Sequence, residues 1–144
     1  MTEGMVMIIK TEHVAPVTSA KDIAAVISEI LKAEHVIDQN KEHWWVVGLD
    51  GASVIKYIEL SALGLSDRAS VAPMETFRLA IFEGITRIIC VHNHPSGRVA
   101  PSESDDVVTK MMKASGDILK ITLLDHIIVG VDGKYHSYLE AGRL

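Results

Sequence analysis

The chain has 144 residues, enough for one hydrophobic core and too few for two, and its 48% hydrophobic content excludes a disordered polar chain. Lys and Arg number 14 against 19 Asp and Glu, a formal net charge of −5, so the protein gains nothing from general attraction to phosphate backbones. Direct nucleic-acid binding would need a local basic patch.

The opening MTEGMVMIIKTEH has no basic region ahead of its apolar run and no small-residue cleavage site, and no later run reaches membrane-spanning length. The expectation is a cytoplasmic protein without a membrane partner. The single cysteine, Cys90, lies in the apolar run IICV as a small core residue, which fits a reducing compartment.

In chain order, MVMIIK predicts a strand and HVAPVTS a loop. Ser19 with Asp22 three residues on opens a helix in the manner of a capping box, and Ile23, Ile27, Ile30, Leu31 and Glu34 follow at helical spacing. A polar break at Asp38 to Lys41 precedes WWVVGLD, a buried strand. Asp50-Gly51 turns the chain into SVIKYIEL, a hairpin signal. Leu63 to Arg68 reads as a loop. Pro73 starts a second helix, METFRLAIFEGI, with Phe77, Ala80, Ile81 and Ile85 on one side.

TRIICVH is the next buried strand, and the helix after it begins near Ser102 with Val107, Val108, Met111, Met112, Ile118 and Leu119 as its inner face. ILKITLL and DHIIVGV read as two further strands, followed by an Asp132-Gly133 turn and a last strand, YHSY. Helices alternating with strands, plus two Asp-Gly turns, predict one domain over residues 1–144: a mixed sheet with helices on both faces.

The chemistry concentrates in VHNHPSGRVAPSESDD. Side chains two apart on a strand point the same way, so His92 and His94 can aim two imidazoles at one point while Asn93 points away. The helix starting near Ser102 brings Asp105 back in its first turn. Two imidazoles and a carboxylate suit zinc with a fourth position left for water. Equally, Ser102-x-x-Asp105 is an ordinary capping box, and a strand-end histidine is commonly a packed or surface residue. The helical HExxH pattern, a PCxxC zinc-deaminase partner and a GxSxG elbow are all absent, and His92-Asn93-His94 is a tripeptide, not the dispersed HNH nuclease element.

His92-x-His94-Pro95, seven residues from His94 to Ser102 and two more to Asp105, resembles the signature of the JAMM (JAB, MPN-plus) metalloprotease domains. The wider text HNHPSG…PS…D, followed by LLDHIIVG and preceded by PMETFRLAI, is similar to the RadC subfamily over about residues 20–140. The resemblance implies a three-layer α/β/α fold related to that of the cytidine deaminases. It also implies a Zn²⁺ held by His92, His94 and Asp105, and Ser102 as oxyanion donor.

The family's general base falls on Glu42 in NKEHWWVVGLD, with Glu75 in PMETF as the substitute. The implied activity is zinc-dependent hydrolysis of a peptide, isopeptide or other amide bond in a peptide or protein substrate. The alternative is a DNA-repair or mobile-element accessory scaffold, which the net charge and the lack of a helix-hairpin-helix region disfavour. Arg98-Val99-Ala100 departs from the family's more acidic segment and bears on substrate contacts. Asp125 and His126, matching LLDHIIVG, are assigned to structure.

Overall fold

The computed structural model describes residues 7–10, 15–64 and 71–144. Strand β1 (Met7–Lys10) precedes helix α1 (Ala20–Lys32), the short α2 (Val36–Gln39) and the hairpin β2 (His43–Leu49) and β3 (Ile55–Leu63). Then come α3 (Pro73–Glu83), β4 (Arg87–Asn93), α4 (Glu103–Leu119), β5 (Thr122–Val129) and β6 (Tyr135–Ser137).

The strands form one mixed sheet in the order β1-β3-β2-β4-β5-β6, with β4 and β5 parallel and every other pair antiparallel. The continuous apolar run of β2 is buried at every position because both faces of the sheet are covered. Trp44 and Trp45, adjacent and therefore pointing to opposite faces, mark the two cores. On one side α1 lays Ile23, Ala24 and Ile27 against Trp45, Val47 and Val91. On the other, Phe77 and Ala80 of α3 and Val108 and Met112 of α4 pack on Trp44, Val46 and Cys90. The expected α/β/α arrangement is what forms. No helix among the described residues is long and apolar enough to cross a membrane.

Four elements differ from the sequence expectation. The expected strands ILKITLL and DHIIVGV share one strand, β5 (Thr122–Val129), while Ile118, Leu119 and Lys120 belong to the end of α4 and its cap, where Lys120 takes a left-handed φ of 61°. The strand runs through Asp125 because that carboxylate is satisfied locally: Oδ1 accepts from the N–H groups of His126 at 2.7 Å and Leu139 at 3.0 Å, and Oδ2 from Ser137 Oγ. The buried stripe of α4 is Asp105, Val108, Thr109, Met112 and Gly116, not one through Val107 and Ile118, which are 65% and 81% exposed. The inward anchor at Asp105 sets that phase. Ile81 likewise faces out, and α2 extends into the expected polar break.

Gly116 sits where α4 meets the chain entering β5, and a Cβ there would stand 2.3 Å from the Ile121 carbonyl oxygen. Alanine is favoured over glycine in a helix by about 1 kcal/mol, but overpacking against backbone costs about 1–3 kcal/mol. Gly116→Ala is therefore expected to lower the urea midpoint, and an unchanged or raised midpoint would show that this junction gives way freely.

Glu59 in β3 is 2% exposed, and its Oε1 has no hydrogen-bond partner among the described residues. Burial raises its pKa above the ordinary 4.5, with attraction to Arg78 opposing. A carboxyl raised in the folded state binds more protons than in the unfolded chain, so its contribution is complete below the unfolded value and is lost as pH rises through the folded one. Glu59→Gln is expected to gain roughly 1 kcal/mol at about pH 8, a gain that shrinks toward about pH 4. Urea unfolding at the two pH values checks the trend.

Candidate metal centre

The centre is assembled from the end of β4 and the start of α4. His92 is fully buried on the central strand, and Pro95, lacking an N–H, cannot continue it. Gly97 closes the turn: its N–H donates to the His94 carbonyl at 2.9 Å, and its φ of +76° is one that glycine adopts without strain. The turn then packs on Gly130 at the end of β5, where an added Cβ would lie 2.6 Å from the Gly97 carbonyl oxygen.

The chain next reaches Ser102, the N-cap of α4, and both halves of the capping box form. The Asp105 N–H donates to Ser102 Oγ at 3.1 Å, and the Ser102 N–H donates to Asp105 Oδ2 at 2.9 Å. The capping and clustering readings of Asp105 are therefore both met by one carboxylate. While capping the helix it also faces the histidine pair.

His92 Nε2 and His94 Nε2 lie 3.2 Å apart, Asp105 Oδ1 is 3.1 Å from His92 Nε2, and Asp105 Oδ2 is 2.9 Å from His94 Nε2. These three residues form a cluster able to hold a metal ion, with ligand atoms all within 4.8 Å of one another. Bonds of about 2.0–2.1 Å in a tetrahedron would separate ligand atoms by about 3.3 Å, so the spacing fits a small divalent cation.

The far side of one ring points the same way. His94 Nδ1 lies 2.9 Å from the Arg98 carbonyl oxygen, an acceptor only, so Nδ1 carries the proton and Nε2 presents a lone pair. Burial would raise the Asp105 pKa, but the two imidazoles and the Ser102 N–H beside it outweigh burial and hold the carboxyl far below the usual range. It stays an anion.

A cleft of about 690 Å³ opens beside the cluster, lined among others by Glu42, His94, Arg98, Ser102, Ser104 and Asp105. Glu42 thus shares the cleft with two members of the cluster, whereas Glu75, in the first turn of α3, does not line it. Ser102 Oγ accepts from the Asp105 amide, which leaves its own proton available for donation.

Asn93 is a contributor that the sequence reading missed. The His43 N–H donates to its Oδ1 at 2.7 Å and its Nδ2 donates to the Lys41 carbonyl at 3.0 Å, so it grips the backbone on both sides of Glu42. The Gly64 N–H holds the Glu42 carbonyl at 2.8 Å. His43 is fully buried against Trp45, with its Nε2 2.6 Å from Glu34.

Of the other histidines, His35 caps α2 and His136 meets Tyr138 edge-on. His13 lies outside the described residues, as do residues 65–70, which include most of the loop expected from Leu63 to Arg68. His126 uses both ring nitrogens within the protein, Nε2 toward His92 Nδ1 at 2.7 Å and Nδ1 toward Thr109 Oγ1. Cys90 is fully buried, and burial pushes its thiol pKa up, in line with a core role.

A family model described as the RadC-like JAB domain matches residues 17–143. Among curated proteins, a UPF0758 protein of Pelodictyon phaeoclathratiforme is 43% identical over 112 residues, covering 78% of this chain and 50% of its own length. One from Staphylococcus epidermidis is 39% identical over 126 residues, covering 88% and 53%, and one from Geobacter sulfurreducens is 40% identical over 108 residues, covering 74% and 46%. The chain spans about half the length of these curated relatives.

Proposed function

The chain belongs to the RadC-like JAB domain family, and on that premise we propose that it is a zinc-dependent hydrolase of peptide, isopeptide or other amide bonds. The observation that carries the reading is the convergence of His92 Nε2, His94 Nε2 and the Asp105 carboxylate at 2.9–3.2 Å beside an open cleft. Two imidazoles and one carboxylate are a catalytic zinc donor set, in which three protein ligands leave a position for water or substrate. When bound, zinc lowers the pKa of water in that position to about 7 and polarises a carbonyl oxygen.

The remaining work falls to this chain's own residues. Glu42 accepts the proton of the attacking water and returns it to the leaving amine, a transfer that its place in the cleft supports. Ser102, already an acceptor from the Asp105 amide, turns its hydroxyl proton toward the oxygen that gains negative charge. Asn93 fixes the Glu42 backbone, so the carboxylate approaches from a set direction. A peptide or protein chain is the substrate class that an open cleft of this kind accommodates.

The test pairs metal analysis with a turnover screen. Protein purified without chelator is expected to hold close to one zinc per chain, and tagged peptides or ubiquitin-like conjugates are expected to be cleaved with zinc and spared with chelator. A chain that neither retains nor takes up zinc would end the hydrolase reading.

A further inference from the structure

We propose that His126 and Thr109 are positioning residues that hold His92 in the ring tautomer whose Nε2 lone pair faces the cluster. The inference rests on the zinc reading above and extends it to two residues that do not touch the ion.

The assignment follows from reading the donors in order from the helix outward. Thr109 Oγ1 donates its proton to the Asp105 backbone carbonyl at 2.7 Å, the acceptor one helical turn earlier. With that proton committed, Thr109 Oγ1 meets His126 Nδ1 as an acceptor, so His126 is protonated at Nδ1. The other nitrogen of His126 then offers a lone pair to His92 Nδ1 at 2.7 Å, which requires His92 to carry its proton there. His92 Nε2 is left bare, 3.1–3.2 Å from the carboxylate and the second imidazole.

The relay is rigid because every member is packed. Thr109 and Asp105 are 3% and 1% exposed, and both histidines are fully buried. The His126 ring stacks on Tyr138 at 4.9 Å with 4° between planes and meets Trp44 edge-on at 5.2 Å. Tyr138 is itself held by its hydroxyl bond to Asp106 at 2.8 Å.

A buried hydrogen bond from a histidine to a threonine also serves stability, and the two roles separate by experiment. Thr109→Val keeps the side-chain volume and removes the acceptor, whereas Thr109→Ser keeps it; His126→Gln provides a second probe at the other end of the relay. Removing an outer partner of a metal-binding histidine commonly costs 10–100-fold in metal affinity.

Chelator competition is expected to show Thr109→Val and His126→Gln binding zinc at least about tenfold more weakly than wild type, with Thr109→Ser within about threefold. Ring ¹⁵N spectra are expected to show Nδ1-protonated His92 in wild type and Thr109→Ser, and a changed pattern in Thr109→Val. Unchanged affinity in Thr109→Val, even with a lower melting temperature, would reduce the relay to a structural contact.

Should wild-type protein take up no zinc, the hydrolase reading fails on its own account. The ring spectra of metal-free protein still decide the relay: Nδ1-protonated His92 upholds it and Nε2-protonated His92 overturns it.

Discussion

Asp105→Asn is expected to empty the site while sparing the fold. The amide oxygen of asparagine can still accept the Ser102 N–H bond that completes the cap of α4, so the helix start keeps its hydrogen bonds. What disappears is the only negative charge in the donor set and the partner of both imidazoles. Losing the anionic ligand of a three-ligand zinc site is expected to cost more than the roughly 10–100-fold in affinity that follows from losing an outer partner of a ligand. Metal analysis after dialysis should find close to one zinc per chain in wild type and almost none in the variant, while circular dichroism and melting change little. A variant that kept its zinc would show that the carboxylate only caps the helix.

Glu42→Gln should give the opposite pattern. It lies outside the three-residue cluster, so zinc content should match wild type, while turnover of any tagged substrate that wild type cleaves should fall by roughly 10²–10⁴-fold. Glutamine keeps size and polarity but cannot take a proton from water. Zinc retained with full turnover would move the base assignment elsewhere in the cleft. Zinc lost together with turnover would mean that Glu42 acts on the ion's surroundings and not on the proton.

Much of the architecture was legible because hydrophobic period and turn chemistry are local signals. The β2–β3 hairpin needed only the apolar run before Asp50-Gly51 and the alternating run after it. The convergence of His92, His94 and Asp105 was within reach for a similar reason: two-residue spacing aligns the histidines, and the Ser-x-x-Asp cap turns the aspartate inward.

Local pattern fell short wherever a partner lay far along the chain. Asn93 reaches residues about fifty positions away and His126 pairs with His92 across 34, and no period encodes either. The phase of α4 was misjudged because its apolar residues outnumber the positions that face inward. The buried polar Asp105 and Thr109 occupy two of those positions in place of Val107 and Ile118. Glu42 had no such spacing argument at all and entered only through the family resemblance.

The contact between Gly97 and Gly130 gives β5 an authority over the site that its lack of ligands conceals. One end of that strand presses on the turn leading to the Arg98 carbonyl that His94 leans on, while its middle supplies the His126 ring that His92 leans on. Sliding β5 by a single residue would exchange the two faces of the strand, swinging His126 away and breaking the glycine seat in one movement. Both imidazoles, one on β4 and one just past its end, would then lose their aim together, so the neighbouring strand steers the pair.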